Sequence, residues 1–286
     1  MAIEELSGVP DVGRLMRRAI AGAVRGRIGG GTRGDRLPET ELIVRDVGVD
    51  REHLARYARV CGFRLSDMLP ATYPHLLAFP LSLELMTRPD FPFPLIGLVH
   101  IQNTIEQVRP VTADERLDIA VRAADLREHE RGRAIDVVAT ATVDGAVVWR
   151  GRSSYLRRSG QSRERRDARA RMEPPPAAAV WRVPVQVGAA YAEVSGDRNP
   201  IHTSTIAARA FGFPRRIAHG MWSKARCLAA LEGRLPESFT VDVAFKLPVL
   251  LPATVAFSTT RHAHGGWRFG LHDAKSGRPH LSGDQI

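Results

Sequence analysis

"YAEVSGDRNPIHTSTIAARAFGFPRRIAHGM" (residues 191–221) concentrates one aspartate, one asparagine, two histidines and five glycines or prolines in a single stretch. Pro200 cannot continue a helix and biases the residue before it away from helical geometry, so the chain turns within "DRNPIH". That turn folds Asp197 and His202 back toward one space. A carboxylate beside an imidazole is suited to acid/base work, because histidine titrates nearest neutrality and a carboxylate can orient it or share a water with it. The same spacing also fits a plainer role, with Asp197 capping the following helix and His202 a satisfied polar residue.

The downstream end of the stretch favours chemistry. In "IAHGM", Gly220 stands at the expected N-terminus of a long apolar helix, where main-chain N–H groups are unpaired and the helix dipole is positive. A glycine there lets a carbonyl approach the backbone, and such a donor stabilises an oxyanion or enolate. His219 reads as structural, because a histidine, His75, also precedes the corresponding apolar segment of the first half.

Working outward, the chain reads as two related halves. "VGAAYAEVSGD" places Val187, Ala190, Tyr191 and Val194 on one helical face, and "REHLARYARVCGF" does the same with Leu54, Tyr57, Ala58 and Cys61. Each is followed by a histidine and a long apolar segment, "RIAHGMWSKARCLAALEG" and "TYPHLLAFPLSLELM", the former predicting a buried helix ending near Gly233. Then "FTVDVAFKLPVLLPATVAFSTT" matches "VHIQNTIEQVRPVTADERLDIAV" as strand, proline turn and strand, with Pro248 opposite Pro110. "RAIDVVATATVDGAVVWRGRSSYLRR" predicts a hairpin turning at Asp144-Gly145, and "WRFGLHDAKSGRPHLSGDQI" closes the second half likewise. Each half is therefore expected to be a helix, a long helix and an antiparallel meander covered by that long helix. The offset between halves is 134 from Tyr57 to Tyr191 but 144 from His75 to His219. The interval absent from the first half is where the second carries "SGDRNPIH", as though chemistry survives in one copy only.

Composition narrows the classes. The 286 residues are 44% hydrophobic, enough for a substantial core. Cys61 and Cys227 are far apart and outside any C-x-x-C spacing, so neither a disulfide framework nor a zinc site is indicated, and a reducing cytoplasmic setting fits. No apolar run is long enough to span a membrane, and arginines interrupt "LMRRAIAGAVRGR" where a secretory signal needs its apolar centre. The net charge of +10 is partly local, since residues 157–171 hold seven arginines against two acidic residues and lead into "MEPPPAAA". Without apolar periodicity or interleaved aromatics this reads as a solvated linker, not a nucleic-acid surface. The expected organisation is a partly mobile lead-in over 1–40, a degenerate first unit over 41–158, a basic and proline-rich linker over 159–179, and a catalytic unit over 180–286.

"YAEVSGDRNPIH", "AFGFPRRIAHGM" and "VAFKLPVLLPATV" together resemble the MaoC-like family of (R)-specific enoyl-CoA hydratases and 3-hydroxyacyl-thioester dehydratases, whose motif has the pattern D-x-N-P-x-H. The three blocks lie in order over residues 184–258, and the chain as a whole is similar to the double-hot-dog subgroup, which includes mycobacterial dehydratases. The resemblance implies an α+β double hot dog, two antiparallel sheets each wrapped around a long central helix. It implies that Asp197 and His202 grip one water, that Gly220 N–H holds the thioester oxygen, and that Asn199, with Ser195, supports the His202 loop. No metal and no redox cofactor is implied. A serine sometimes found two turns into the family's helix is matched here by Leu228. Arg215, Arg216, Lys224 and Lys246 are candidates for binding CoA phosphates or an acidic acyl carrier protein. Loss of the catalytic segment from the first half leaves room for a medium or long acyl chain, unless Phe79, Met86, Phe91 and Phe93 fill that space. The chain is expected as a monomeric pseudo-dimer or a homodimer. A thioesterase on the same fold and a non-catalytic acyl-CoA binding module remain the alternatives.

Overall fold

The computed structural model describes residues 2–19, 35–159 and 175–286. In chain order the first half comprises β1 (Ala2–Glu5), α1 (12–19), β2 (Thr40–Val47), α2 (Arg51–Cys61), α3 (Tyr73–Thr87), β3 (Leu98–Gln107), β4 (Leu117–His129), β5 (Gly132–Val143) and β6 (Ala146–Arg158). The second comprises β7 (Ala179–Val183), α4 (Val187–Ser195), α5 (Pro200–Thr203), α6 (Thr205–Ala210), α7 (Gly220–Ala230), β8 (Phe239–Phe245), β9 (Ala253–Arg261), β10 (Trp267–Asp273) and β11 (Pro279–Gln285). The basic stretch expected as a linker lies outside the described residues from 160 to 174, as does 20–34 of the lead-in.

Local chemistry explains the element ends. Asp50 caps α2 by accepting from the N–H groups of Glu52 and His53, and Gly62 stops it in the left-handed region at φ 82°. Leu54, Tyr57, Ala58 and Cys61 are all buried, as their spacing predicts. In α4 the buried set is Gly188, Tyr191, Ala192 and Val194, so Val187 and Ala190 lie at the edge of the face, not on it. The β5–β6 hairpin turns through Asp144 (φ 51°) and Gly145 (φ 78°), the two left-handed residues that such a tight turn requires.

The meander expectation needs correction. The strand order is β1-β2-β4-β5-β6-β3-β8-β11-β10-β9-β7, so β4-β5-β6 and β9-β10-β11 are meanders, but β3 and β8 do not pair with β4 and β9, the strands that follow them in sequence. Alternation identifies a strand without naming its partner, and β3 and β8 cross over to pair with β6 and β11 on one side and with each other on the other. The two five-stranded units are thereby joined edge to edge into one sheet, with only β1 added parallel to β2. Cross-strand side chains fasten the joint: Gln102 Nε2 and Thr104 Oγ1 both donate to the Asp242 carboxylate, at 2.9 and 2.5 Å.

The long helices α3 and α7 lie against the sheet and carry the core, α3 through Leu76, Leu81, Leu85 and Met86 and α7 through Met221, Trp222, Cys227 and Leu228. Of the bulky residues weighed against an acyl chain, Met86, Phe91 and Phe93 are core residues and Phe79 is half-buried. The described lead-in docks on the body: Arg88 donates to both carboxylate oxygens of Glu4, and Leu15 of α1 is buried. Among the described residues, no helix is long and apolar enough to cross a membrane.

Candidate active site

The segment between α4 and α7 builds the site. Gly196 ends α4 at φ 73°, Ser195 Oγ accepts the Asp197 N–H at 3.2 Å, and an Asp197 oxygen accepts the Asn199 N–H at 3.2 Å. Asn199, not Asp197, caps the next helix, taking the Ile201 N–H at 3.3 Å, with Pro200 in the first helical position where its missing N–H is harmless. One short turn later His202 is buried, its Nδ1 2.8 Å from the Ile217 carbonyl. Since a carbonyl only accepts, Nδ1 carries the proton and Nε2 keeps its lone pair.

His219 completes the arrangement. It is the N-cap of α7, its ring lies 3.6 Å from that of His202, and its Nε2 donates to the Asp197 main-chain oxygen at 2.9 Å. Polar atoms of Asp197, His202 and His219 all lie within 4.8 Å of one another. That separation suits one water bridging two groups, since two hydrogen bonds of about 2.8 Å at a tetrahedral angle span roughly 4.6 Å. It suits a metal ion poorly, because two nearly parallel stacked imidazoles do not converge their in-plane lone pairs on one point.

Burial sets the charge states. It lowers the affinity of His202 for a proton, against the opposing pull of the Asp197 charge and the Ile217 carbonyl. His219 is pushed down to about 3, by burial first and the neighbouring His202 second. Both rings are therefore neutral near pH 7.

Gly220 opens α7, and no side chain caps that end. A Cβ at Gly220 would stand 3.1 Å from the Phe245 ring, so the glycine keeps this helix start narrow against β8.

The remaining expected residues separate. Lys224 must be withdrawn as a CoA-binding residue: it is fully buried on α7, and its Nζ donates to Asn103 O (2.8 Å), Asn103 Oδ1 (2.7 Å) and Val241 O (3.2 Å), tying α7 to the β3–β8 joint. Arg216 is half-buried, with Nη1 donating to Thr203 O at 3.3 Å, while Arg215 and Lys246 are exposed. Leu228 belongs to the core.

Sequence reasoning undervalued His219 by pairing it with His75. By helix position the counterpart of His219 is Thr72, the N-cap of α3, and His75 lies inside that helix. Tyr57 donates to Thr72 Oγ1 at 2.7 Å, and the corresponding Tyr191 packs its ring 4.9 Å from that of His219. Aligning the helix caps, not the histidines, would have revealed that His219 is peculiar to the second half.

Comparison with known proteins identifies the family. Residues 167–278 match the MaoC like domain family. The chain is 39% identical over 255 residues to 3-hydroxyacyl-thioester dehydratase X of Mycobacterium tuberculosis, covering 87% of this chain and 90% of that protein. It is 28% identical to enoyl-CoA hydratase ChsH3 of the same organism over 63% of this chain and 66% of the relative. A crystal structure of HtdX from Mycobacterium tuberculosis superposes with a TM-score of 0.77 at 38% identity, over 86% of this chain and 98% of that one. A MaoC-like dehydratase from Phytophthora capsici shares the fold at 18% identity, with a TM-score of 0.71 over 88% and 95%. With its hot-dog architecture, its D-x-N-P-x-H turn and a relative of this similarity over nearly its whole length, the chain belongs to the MaoC-like dehydratase family.

Proposed function

We propose that the protein is a hydro-lyase of fatty-acid metabolism that adds water to trans-2-enoyl thioesters and removes it from 3-hydroxyacyl thioesters, with (R) configuration at C3, using one site per chain in the unit after residue 180. The observation that carries this reading is the Asp197 carboxylate within water-bridging distance of a buried His202 whose Nδ1 is already committed to the Ile217 carbonyl.

In the hydration direction the bound water gives a proton to His202 Nε2 as its oxygen bonds to C3. Electrons shift from the C2–C3 double bond toward the thioester oxygen, where the Gly220 N–H accommodates the developing enolate. The proton then passes from His202 to C2, restoring the thioester. Asp197 accepts a hydrogen bond from the O–H that stays on the adding oxygen and stabilises the transient imidazolium. His219 is a positioning residue, holding the Asp197 main chain and stacking on His202. Asn199 and Ser195 hold the turn. The first unit, 41–158, supplies its half of the joined sheet and one wall of the acyl site. The carrier is CoA or an acyl carrier protein, with Arg215 and Lys246 available to its phosphates or acidic face.

The test is loss of the enoyl-thioester absorbance band with crotonyl-CoA and a long-chain trans-2-enoyl-CoA, in parallel with Asp197→Asn and His202→Ala. Both substitutions are expected to lower kcat by about 10³-fold or more with folding retained. Turnover that survives in both variants puts the chemistry elsewhere. Hydrolysis to free thiol in place of hydration makes the protein a thioesterase, and binding without turnover makes it an acyl-CoA binding module.

A further inference from the structure

The first unit contributes polar side chains that the reaction does not use. His100 lies on β3, with its ring stacked on Tyr155 of β6 (4.7 Å, 22°) and, more distantly, on His75 of α3 (6.4 Å, 17°). Its other neighbour is Phe245, at 5.0 Å, the ring that also faces Gly220. Through the tilted Phe245 ring the cluster reaches the start of α7.

Within this cluster Tyr155 is engaged by Ser153 and His100 by the Gln102 main chain, which leaves one nitrogen of His100 unspent. His100 Nε2 is sealed from solvent without a partner. His75 is half-buried. Burial holds the two imidazoles neutral, at about 4 for His75 and about 3 for His100, so each has one donor and one acceptor nitrogen. A buried polar atom without a partner is costly enough to be rare in folded proteins. A β-bulge falls between His100 and Gln102, a device that re-aims a side chain and is enriched beside active sites. An alkyl chain lying here would leave these nitrogens unpaired, whereas a chain bearing an oxygen would pair them.

We infer that His75, His100 and Tyr155 form a polar acyl subsite, selecting thioesters whose chain carries a hydroxyl or oxo group beyond C3 over plain alkyl chains of equal length. The inference rests on the acyl-thioester reading above. Sites built to hydrogen-bond a substrate hydroxyl discriminate strongly against the analogue lacking it, because their own polar groups are then stranded.

The experiment is calorimetric binding of octanoyl-CoA and its monohydroxylated derivatives, one for each position from C4 to the chain end, to the full-length protein. At least one derivative is expected to bind about tenfold or more tightly than octanoyl-CoA. That ratio should fall to near one in His100→Phe and in His75→Phe, and persist in part in His100→Gln. The inference is overturned if no position gains over the alkyl chain in the wild type, if no thioester binds, or if the gain survives both phenylalanine variants. The wild-type series alone is decisive should a variant fail to fold. Hydration of the matching enoyl thioesters separates the two readings. Selective binding without hydration retains the subsite and rejects the reaction, and hydration without selectivity does the reverse.

Discussion

His202 and His219 lie face to face, with ring centroids 3.6 Å apart and planes 24° from parallel, and each spends one nitrogen on a main-chain carbonyl. The carbonyls belong to Ile217 and Asp197, so the two rings clamp the Asp197 turn to the start of α7. Such a stack tolerates two neutral rings and resists two charged ones, consistent with the depressed proton affinity of both.

Replacing His219 with phenylalanine preserves a flat ring beside His202 but removes the donor to the Asp197 carbonyl. Small displacements of a reacting group cost large factors in rate. We expect His219→Phe to lower kcat on an enoyl thioester about 10- to 100-fold while KM changes little. An unchanged kcat would show that the carbonyl bond does not position Asp197.

Gly188, on α4, is pressed against the main chain of the His202 turn. A Cβ added there would collide with the His202 carbonyl oxygen, a backbone atom that moves only with its turn. Gly188→Ala should therefore displace His202 and destabilise the fold by about 1–3 kcal/mol. Gly220→Ala, facing the ring of Phe245 at 3.1 Å, should be milder in stability and felt mainly in turnover. Thermal denaturation and kcat on the two variants would separate these outcomes, and equal behaviour would refute the distinction.

Lys224 shows what the linear sequence conceals. It sits in a segment that reads as a long apolar helix, and a lysine near its start suggests a phosphate partner; instead three acceptors on two strands surround it. Lys224→Met strands those acceptors, and we expect a loss of about 2–4 kcal/mol in denaturant unfolding. Asn103→Leu in the same chain should restore part of it, a coupling of about 1–3 kcal/mol. Simple additivity would mean that Lys224 and Asn103 do not act as a unit.

Helix faces and hairpins were legible because their signals are local. Leu54, Tyr57, Ala58 and Cys61 follow one period, and Asp144-Gly145 can adopt the left-handed conformations that its turn needs. The Asp197–His202 turn was legible too, since a proline and an asparagine cap determine it within six residues. What could not be read was long-range: the pairing of β3 with β8, the burial of Lys224, and the meeting of His100, Tyr155 and Phe245 from three strands. None of these leaves a periodicity, because each depends on which strand lies next to which.

Acid stability follows from the buried histidines. Burial holds His75, His100 and His219 at about 4, 3 and 3, against 6.5 for a free side chain. As pH falls below about 6.5, the unfolded chain takes up protons that these folded residues refuse, so stability declines on acidification and rises with pH. Each group contributes on the order of 1 kcal/mol per pH unit between its unfolded value of 6.5 and its folded value of about 3 to 4. Urea unfolding at about pH 7.5, 6.5 and 5.5 should show this decline, with a shallower slope in His75→Gln and in His100→Gln. A slope that neither substitution alters would mean that these rings already carry protons in the folded state, and would remove the neutral donor–acceptor pairing on which the acyl subsite depends.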